Sequence, residues 1–296
     1  MITAANASQL TPIAQARRGW ITQVAWSPDG RFIAVSSAEG IALYSPALKL
    51  LAKLTDHDGP VKGIAINSDS SLLASAGADT TVRLWDIAHS VVHQVLRGHT
   101  GAVNAVALSA KLVGSASSDK TVRLWHMETG EEHRVMPGHT NEVNAVTFAL
   151  GGAIIASGSR DHTLRLWNVQ TGAAQVLTYH TDWIRDLAAS RHGELIAAVG
   201  KDGLVSLWHV ASGQLRHAIP DAHPGGVDAV AFSPNGELLA SGGRDNLVKL
   251  WQVATGELVT ALSGHSKPVL TLAFSPDGAR LASGSGDNTV KMWIVS

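Results

Sequence analysis

The sequence predicts an all-β chain of seven repeated units, each a small antiparallel sheet of four short strands. Three observations carry this reading. Leu-Trp or Met-Trp recurs at Trp85, Trp125, Trp167, Trp208, Trp251 and Trp293, with Leu43-Tyr44 as a weaker first member, at spacings of 41, 40, 42, 41, 43 and 42 residues. The aspartates Asp79, Asp119, Asp161, Asp202, Asp245 and Asp287 and the histidines His57, His99, His139, His180, His223 and His265 keep the same rhythm. Between these marks lie short apolar runs punctuated by turn residues, as in Val143 to Phe148, Ile154 to Ser159 and Thr163 to Trp167. A fixed period of roughly 20–50 residues marks units that bury their apolar faces only by stacking on neighbours. Seven units of about 42 residues account for the length of 296.

Taken in order, residues 1 to 8 are small and polar and are expected to be flexible. Residues 9 to 16 read as one strand. Pro12 cannot donate a ladder hydrogen bond, which places that strand at a sheet edge. The second unit reads as strands at Val61 to Ile66, Leu72 to Ala76, Thr81 to Asp86 and Val91 to Leu96. Ser27-Pro28-Asp29-Gly30, Ser233-Pro234-Asn235-Gly236 and Ser275-Pro276-Asp277-Gly278 join first strands to second strands, because Pro presets φ and Gly accepts positive φ. Third strands read Val-Arg-Leu-Trp. Their cations (Arg83, Arg123, Arg165, Lys249 and Lys291) can pack their stems and keep the charge near the rim. The first unit departs from the pattern, with Arg17 for His, Ala38-Glu39 near the Asp position and Tyr44 for Trp. The fifth has Ala198 where the others have Ser.

These Gly-His and Trp-centred repeats resemble the WD40-repeat family over residues 9 to 296. Only Trp85-Asp86 keeps the signature dipeptide complete, although the interior Asp and Trp persist in the other units. Similarity among the repeats points toward bacterial members. The resemblance implies a seven-bladed β-propeller forming one domain over 9–296. It also implies that the last unit, which stops after three strands at Met292-Trp293-Ile294-Val295, is completed by the strand at residues 9 to 16.

A serine stands four positions before most of the aspartates, at Ser75, Ser115, Ser157, Ser241 and Ser283. On paper His, Ser and Asp make a hydrolase triad, but no catalyst needs five copies of its nucleophile. The family resemblance implies a structural network instead, running from His through Asp and Ser to the Trp indole. Its members would be His57, Ser75, Asp79 and Trp85; His99, Ser115, Asp119 and Trp125; His139, Ser157, Asp161 and Trp167; His180, Asp202 and Trp208; His223, Ser241, Asp245 and Trp251; and His265, Ser283, Asp287 and Trp293. An Asp buried in this way must be surrounded by donors.

Composition narrows the function classes. A formal net charge of −1 gives no global attraction to nucleic acid or to anionic membrane. The chain has no cysteine, which excludes disulfides and thiolate metal sites. No apolar run reaches the roughly 18 residues of a spanning helix. The remaining eight histidines share no metal spacing, and no phosphate-binding Gly loop or dinucleotide fingerprint is present, so no cofactor, metal or catalytic residue is assigned. The expected setting is the cytoplasm.

Because the repeat explains most residues, function is expected where equivalent positions differ. On the face where first strands begin, such positions gather Arg160, Trp183, Arg185, Lys201 and Arg244 from the fourth to sixth units, with Trp20, Lys62 and Asp228 as further candidates. Trp183 and Trp20 lie outside the repeat pattern. A Trp among several Arg has the composition of a binding hot spot, and Asp186 and Asp228 are placed to neutralise part of the charge. The expected function is a non-catalytic scaffold that binds acidic or aromatic-containing segments of partner proteins. The alternatives are a propeller-based, hydrolase-like enzyme or the sensor portion of a larger signalling protein.

Overall fold

The computed structural model describes residues 1–17 and 19–295; Arg18 and Ser296, inside the unit expected at 9–296, lie outside the described residues. The alternation of apolar runs and tight turns gives seven four-stranded antiparallel sheets. In the second sheet the strands are Val61–Ile66, Leu72–Gly77, Val82–Asp86 and Val91–Leu96, within a residue of the sequence reading. Each first strand lies beside the first strand of the next sheet, and Ile21–Trp26 of the first meets Val269–Phe274 of the seventh. The sheets therefore close a ring around a channel lined by their first strands. This is a seven-bladed β-propeller.

The core sits between blades rather than at a centre. Seven buried clusters each draw on two adjacent blades, as where Ala74, Val82 and Leu84 of blade two meet Val103, Val113 and Trp125 of blade three. The repeat Trp is the wedge at these seams. Trp85 packs into the cluster shared with blade one, and Trp167 into that shared with blade three. Strands covered on both faces in this way need apolar side chains on both, which is why alternation along them is imperfect.

The ring is closed as expected. Leu10–Arg17 pairs antiparallel with Thr289–Val295, from Leu10 opposite Val295 to Arg17 opposite Thr289. It is the outermost strand of its blade, where Pro12 leaves no ladder partner wanting. The register slips between Pro12 and Ala14, so Ile13 bulges outward.

The segment ahead of this strand differs from the sequence reading of a flexible 1–8. Its backbone is tied down, with the Ile2 N–H donating to the Gly278 carbonyl at 2.6 Å and the Ala7 N–H to the Thr3 carbonyl at 3.0 Å. Ile2 and Ala7 are buried in the cluster that joins blades six and seven, together with Leu238, Leu250 and Trp293. Ile2, among the largest fully buried side chains of the molecule, and Ala7 dock a stretch otherwise made mostly of small residues. Replacing Ile2 with Ala is expected to cost roughly 2 kcal/mol of stability; a melting curve identical to that of the parent chain would contradict this packing.

Candidate functional site

Each blade from two to seven contains the same hydrogen-bonded chain. His Nδ1 lies 2.7–3.0 Å from the Asp carboxylate. His Nε2 lies 2.7–2.9 Å from a Ser hydroxyl. The Trp indole N–H donates to the same hydroxyl at 2.7–3.0 Å. An ionised carboxylate only accepts, so the neutral His holds its proton on Nδ1 and donates it to Asp. Nε2 accepts from the Ser hydroxyl, and the Ser oxygen accepts from the Trp indole. This is the connectivity of a hydrolase triad with its nucleophile sealed: Ser75, Ser115, Ser157, Ser206, Ser241 and Ser283 are all fully buried.

Blade five reaches this arrangement by a different route. Ala198 leaves the usual serine position empty, and Ser206 on the third strand fills it, accepting from Trp208 and facing His180. Ala198 and Ser206 are directly opposed across the two strands, as Ser75 and Arg83 are in blade two. The hydroxyl has moved across one pair, at the expense of the third-strand cation. That loss makes room elsewhere. At Gly98 an added Cβ would stand 2.8 Å from the Arg123 guanidinium, and at Gly138 2.6 Å from that of Arg165. Blade five has no such Arg and carries Tyr179 at this position, half exposed and edge-on to Trp208 at 6.3 Å.

On the face where first strands begin, Trp183 is half-buried, with the Arg160 guanidinium 4.4 Å and Lys201 Nζ 4.8 Å from its ring centroid. Both cations are paired. Arg160 reaches Glu142 at 3.1 Å and Lys201 reaches Asp182 at 3.1 Å. The Trp183 backbone is fixed by its N–H donating to Asp182 and by its carbonyl accepting from Lys201. Asp182 is held below its ordinary carboxylate range, chiefly by the Trp183 N–H. A second group lies beside this one: Arg185 and Arg244 share Asp228 at 2.6 and 2.7 Å.

The other residues read from the sequence are distributed differently. Trp20 is exposed on blade one, away from the group on blades four to six. Lys62, Arg185 and Asp228 line the channel, whose volume is about 200 Å³. There they staple neighbouring first strands. Thr22 donates to the Val61 carbonyl, Lys62 to Asn104, Asn104 to the Val143 carbonyl, Asn144 to the Ile184 carbonyl and Arg185 to Asp228. Burial pushes the Lys62 ammonium below its usual range, with Glu142 opposing and Arg160 reinforcing the shift. Asp186 does not neutralise the cations as the sequence reading had it. It lines the channel and accepts the Leu187 and Val230 N–H groups, and burial raises it to about 6. Sequence reasoning missed Ser206, although Val205-Ser206-Leu207-Trp208 breaks the Val-Arg-Leu-Trp pattern in plain view.

With the geometry in place, comparison with known proteins decides the family. The profile described as "WD domain, G-beta repeat" matches residues 10–42, 48–86, 90–126, 130–168, 173–209, 213–252 and 256–293. The chain belongs to the WD40 family. It is similar to the UBP9-binding protein bun62 of Schizosaccharomyces pombe, 35% identical over 25% of this chain and 15% of that protein. It is similar to the methylosome protein WDR77 of Xenopus laevis, 30% identical over 35% of this chain and 32% of the relative. Similarity to the COMPASS component SWD3 of Saccharomyces cerevisiae is 27% over 29% of this chain and 27% of that protein. The matched stretches thus span at most about a third of either partner. These relatives are eukaryotic, so the expected bacterial affinity is not supported. No helix among the described residues is long and apolar enough to cross a membrane.

Ser206→Ala strands both His180 Nε2 and the Trp208 indole and is expected to cost roughly 1–3 kcal/mol, read from chemical denaturation. Ser206→Arg combined with Ala198→Ser is expected to restore stability only when Tyr179 is also changed to Gly; full recovery with Tyr179 in place would show that the two positions are uncoupled.

The network also sets the acid response. Burial opposes charge on Asp119 and Asp287. Bonds from Thr121 and His99, and from Thr289 and His265, outweigh that effect and bring both carboxyls down from 3.8 to about 2. Asp161 is lowered in the same way. Burial lowers His99, His223 and His265 below 6.5 despite their Asp partners. Both kinds of shift have one sign, because the unfolded chain binds more protons than the folded one as pH falls. Melting temperature is expected to decline below 6.5 and more steeply from 3.8 toward 2. Asp186, raised to about 6, works against this decline between 6 and 3.8, so the test uses Asp186→Asn. Calorimetry of that variant showing a flat melting temperature between about pH 7 and about pH 5 would contradict the histidine part.

Proposed function

We propose that the chain is a non-catalytic scaffold that docks partner proteins around Trp183. The observation that carries this reading is the fixed, half-exposed indole with two cations over its ring. An aromatic anchor whose backbone and cations are already held loses little freedom on binding, and such residues dominate interface energies. The names of its relatives point the same way, since they describe a binding protein, a methylosome protein and a component of an assembly. An enzyme reading finds no support in the repeated Ser, His and Asp, because each Ser is buried under an indole and cannot meet a substrate carbonyl.

The pairing of the cations refines the partner chemistry. Arg160, Lys201, Arg185 and Arg244 each have a carboxylate partner, so the patch attracts acidic segments less than its composition implied. The fit is to a partner segment with an aromatic or apolar side chain to extend the stack. An acidic neighbour would meet Arg244, whose side chain is 46% exposed. The same features give no phosphate-tracking stripe for nucleic acid. A cytoplasmic setting is part of this proposal.

Affinity capture from a cytoplasmic extract with the tagged chain, quantified by mass spectrometry, tests it. Trp183→Ala is expected to weaken its partners by about 2 kcal/mol or more, and Arg244→Glu to weaken those with an acidic segment. Undiminished capture by both variants, or absence of the tagged chain from that extract, would overturn the reading. Arg185→Glu would set two carboxylates together in the channel and so reports on folding instead.

A further inference from the structure

The face opposite Trp183 carries the turns between first and second strands, and blade three has a shortened one. The bond that closes this turn runs from the Leu112 N–H to Ser109 across three positions. In blades two and five the equivalent bonds, Leu72 to Asn67 and Leu195 to Ser190, span five. The shortening opens a notch of about 440 Å³ flanked by the turns of blades two, four and five. That volume falls within the roughly 300–1,000 Å³ of ligand pockets.

The walls of the notch are held in place. Gly152, with φ of +92°, brings the blade-four turn against Ser109, where an added Cβ would lie 3.2 Å from the serine Cβ. Gly193, at φ of +70°, packs its backbone on that turn; a Cβ there would stand 2.2 Å from the Leu150 nitrogen. Leu150 itself is held at φ of +47°, a region leucine rarely occupies. Non-glycine residues persist there only when their surroundings over-determine them, and such positions cluster at ligand clamps.

The lining combines two chemistries. Ile66, Leu108, Phe148 and Leu150 supply apolar surface, and Arg191 and His192 stand exposed at the rim. Among the described residues lining the notch there is no carboxylate, and Arg191 has no ion pair there. This contrasts with the Trp183 group, where each cation is already paired. An unpaired guanidinium beside an apolar hollow suits a carboxylate attached to an apolar chain, which its fork can bind in bidentate fashion.

We propose that this notch is a second docking site. It takes an extended peptide segment of a partner protein that places an aliphatic or aromatic side chain into the hollow and an adjacent Asp or Glu on Arg191 and His192. The site is independent of the Trp183 face, so one disc holds two partners on opposite sides.

The test is selection of phage-displayed random peptides on the intact chain, followed by fluorescence anisotropy with a synthetic copy of the most enriched sequence. The expected sequences pair an apolar residue with a neighbouring Asp or Glu. Arg191→Glu, and Ala110→Trp as a plug, are each expected to weaken the peptide at least about tenfold, with Trp183→Ala unchanged. Ser68→Trp replaces the plug if Ala110→Trp lowers the melting temperature. Failure to enrich such sequences, retained affinity in either the charge or the plug variant, or an equal loss in Trp183→Ala overturns the proposal.

Discussion

The buried chain of Trp, Ser, His and Asp is the constraint from which the rest of the molecule follows. Within blade two it ties four places together: the turn before the first strand, the second strand, the turn that follows it and the third strand. Between blades it aims the indole, which fills the seam with the preceding sheet while its N–H stays satisfied at home. An apolar wedge with a polar handle is a hazard unless the handle finds a partner. The serine supplies that partner and passes the demand on to histidine and aspartate, whose carboxylate gathers further backbone donors such as the Thr140 N–H. Blade five shows that the requirement is for an oxygen at one point in space rather than for a residue at one point in the chain.

With each blade fixed from within, the ring is fixed at its hub by side chains that cross from one first strand to the next. These links run from blade one through to blade six, and the Val24 N–H joins blade one to Thr271 of blade seven. The first strands of blades six and seven share no such link among the described residues, and it is across this seam that Ile2 and Ala7 are buried. Freedom to vary is therefore left to the turns on the two faces. The two proposed docking regions lie there, one where a cation–aromatic stack replaces ordinary rim residues and one where a turn has been shortened.

Much of the fold was legible because it is periodic. A residue type that returns every 42 positions or so announces both the unit and its core. Positions that break the period were harder to assign, since a break marks either function or a local repair. Lys62, Arg185 and Asp228 broke it and turned out to bridge blades, because polar side chains at the hub meet each other before they meet solvent. Ser206 broke it as a repair. The docking of Ile2 and the raised carboxyl of Asp186 depend on which surfaces a segment meets after the ring closes, and no spacing in the chain encodes that. The Trp183 group was recognisable by composition, but its paired charges were not, since Glu142 meets Arg160 and Asp182 meets Lys201 only once the turns at that end of each blade are folded against one another.

The pairing of Leu10–Arg17 with Thr289–Val295 has a consequence for how the molecule comes into being. During synthesis the opening strand emerges from the ribosome long before its partner exists. Six blades are then translated while one edge of the future seventh waits exposed, a template for any other extended segment nearby. Ring closure is the most non-local step in the molecule and carries the entropy of joining distant parts of the chain. The docked Ile2 and the bulge at Ile13 act at this last step, one adding burial that rewards closure and the other turning the edge away from strangers.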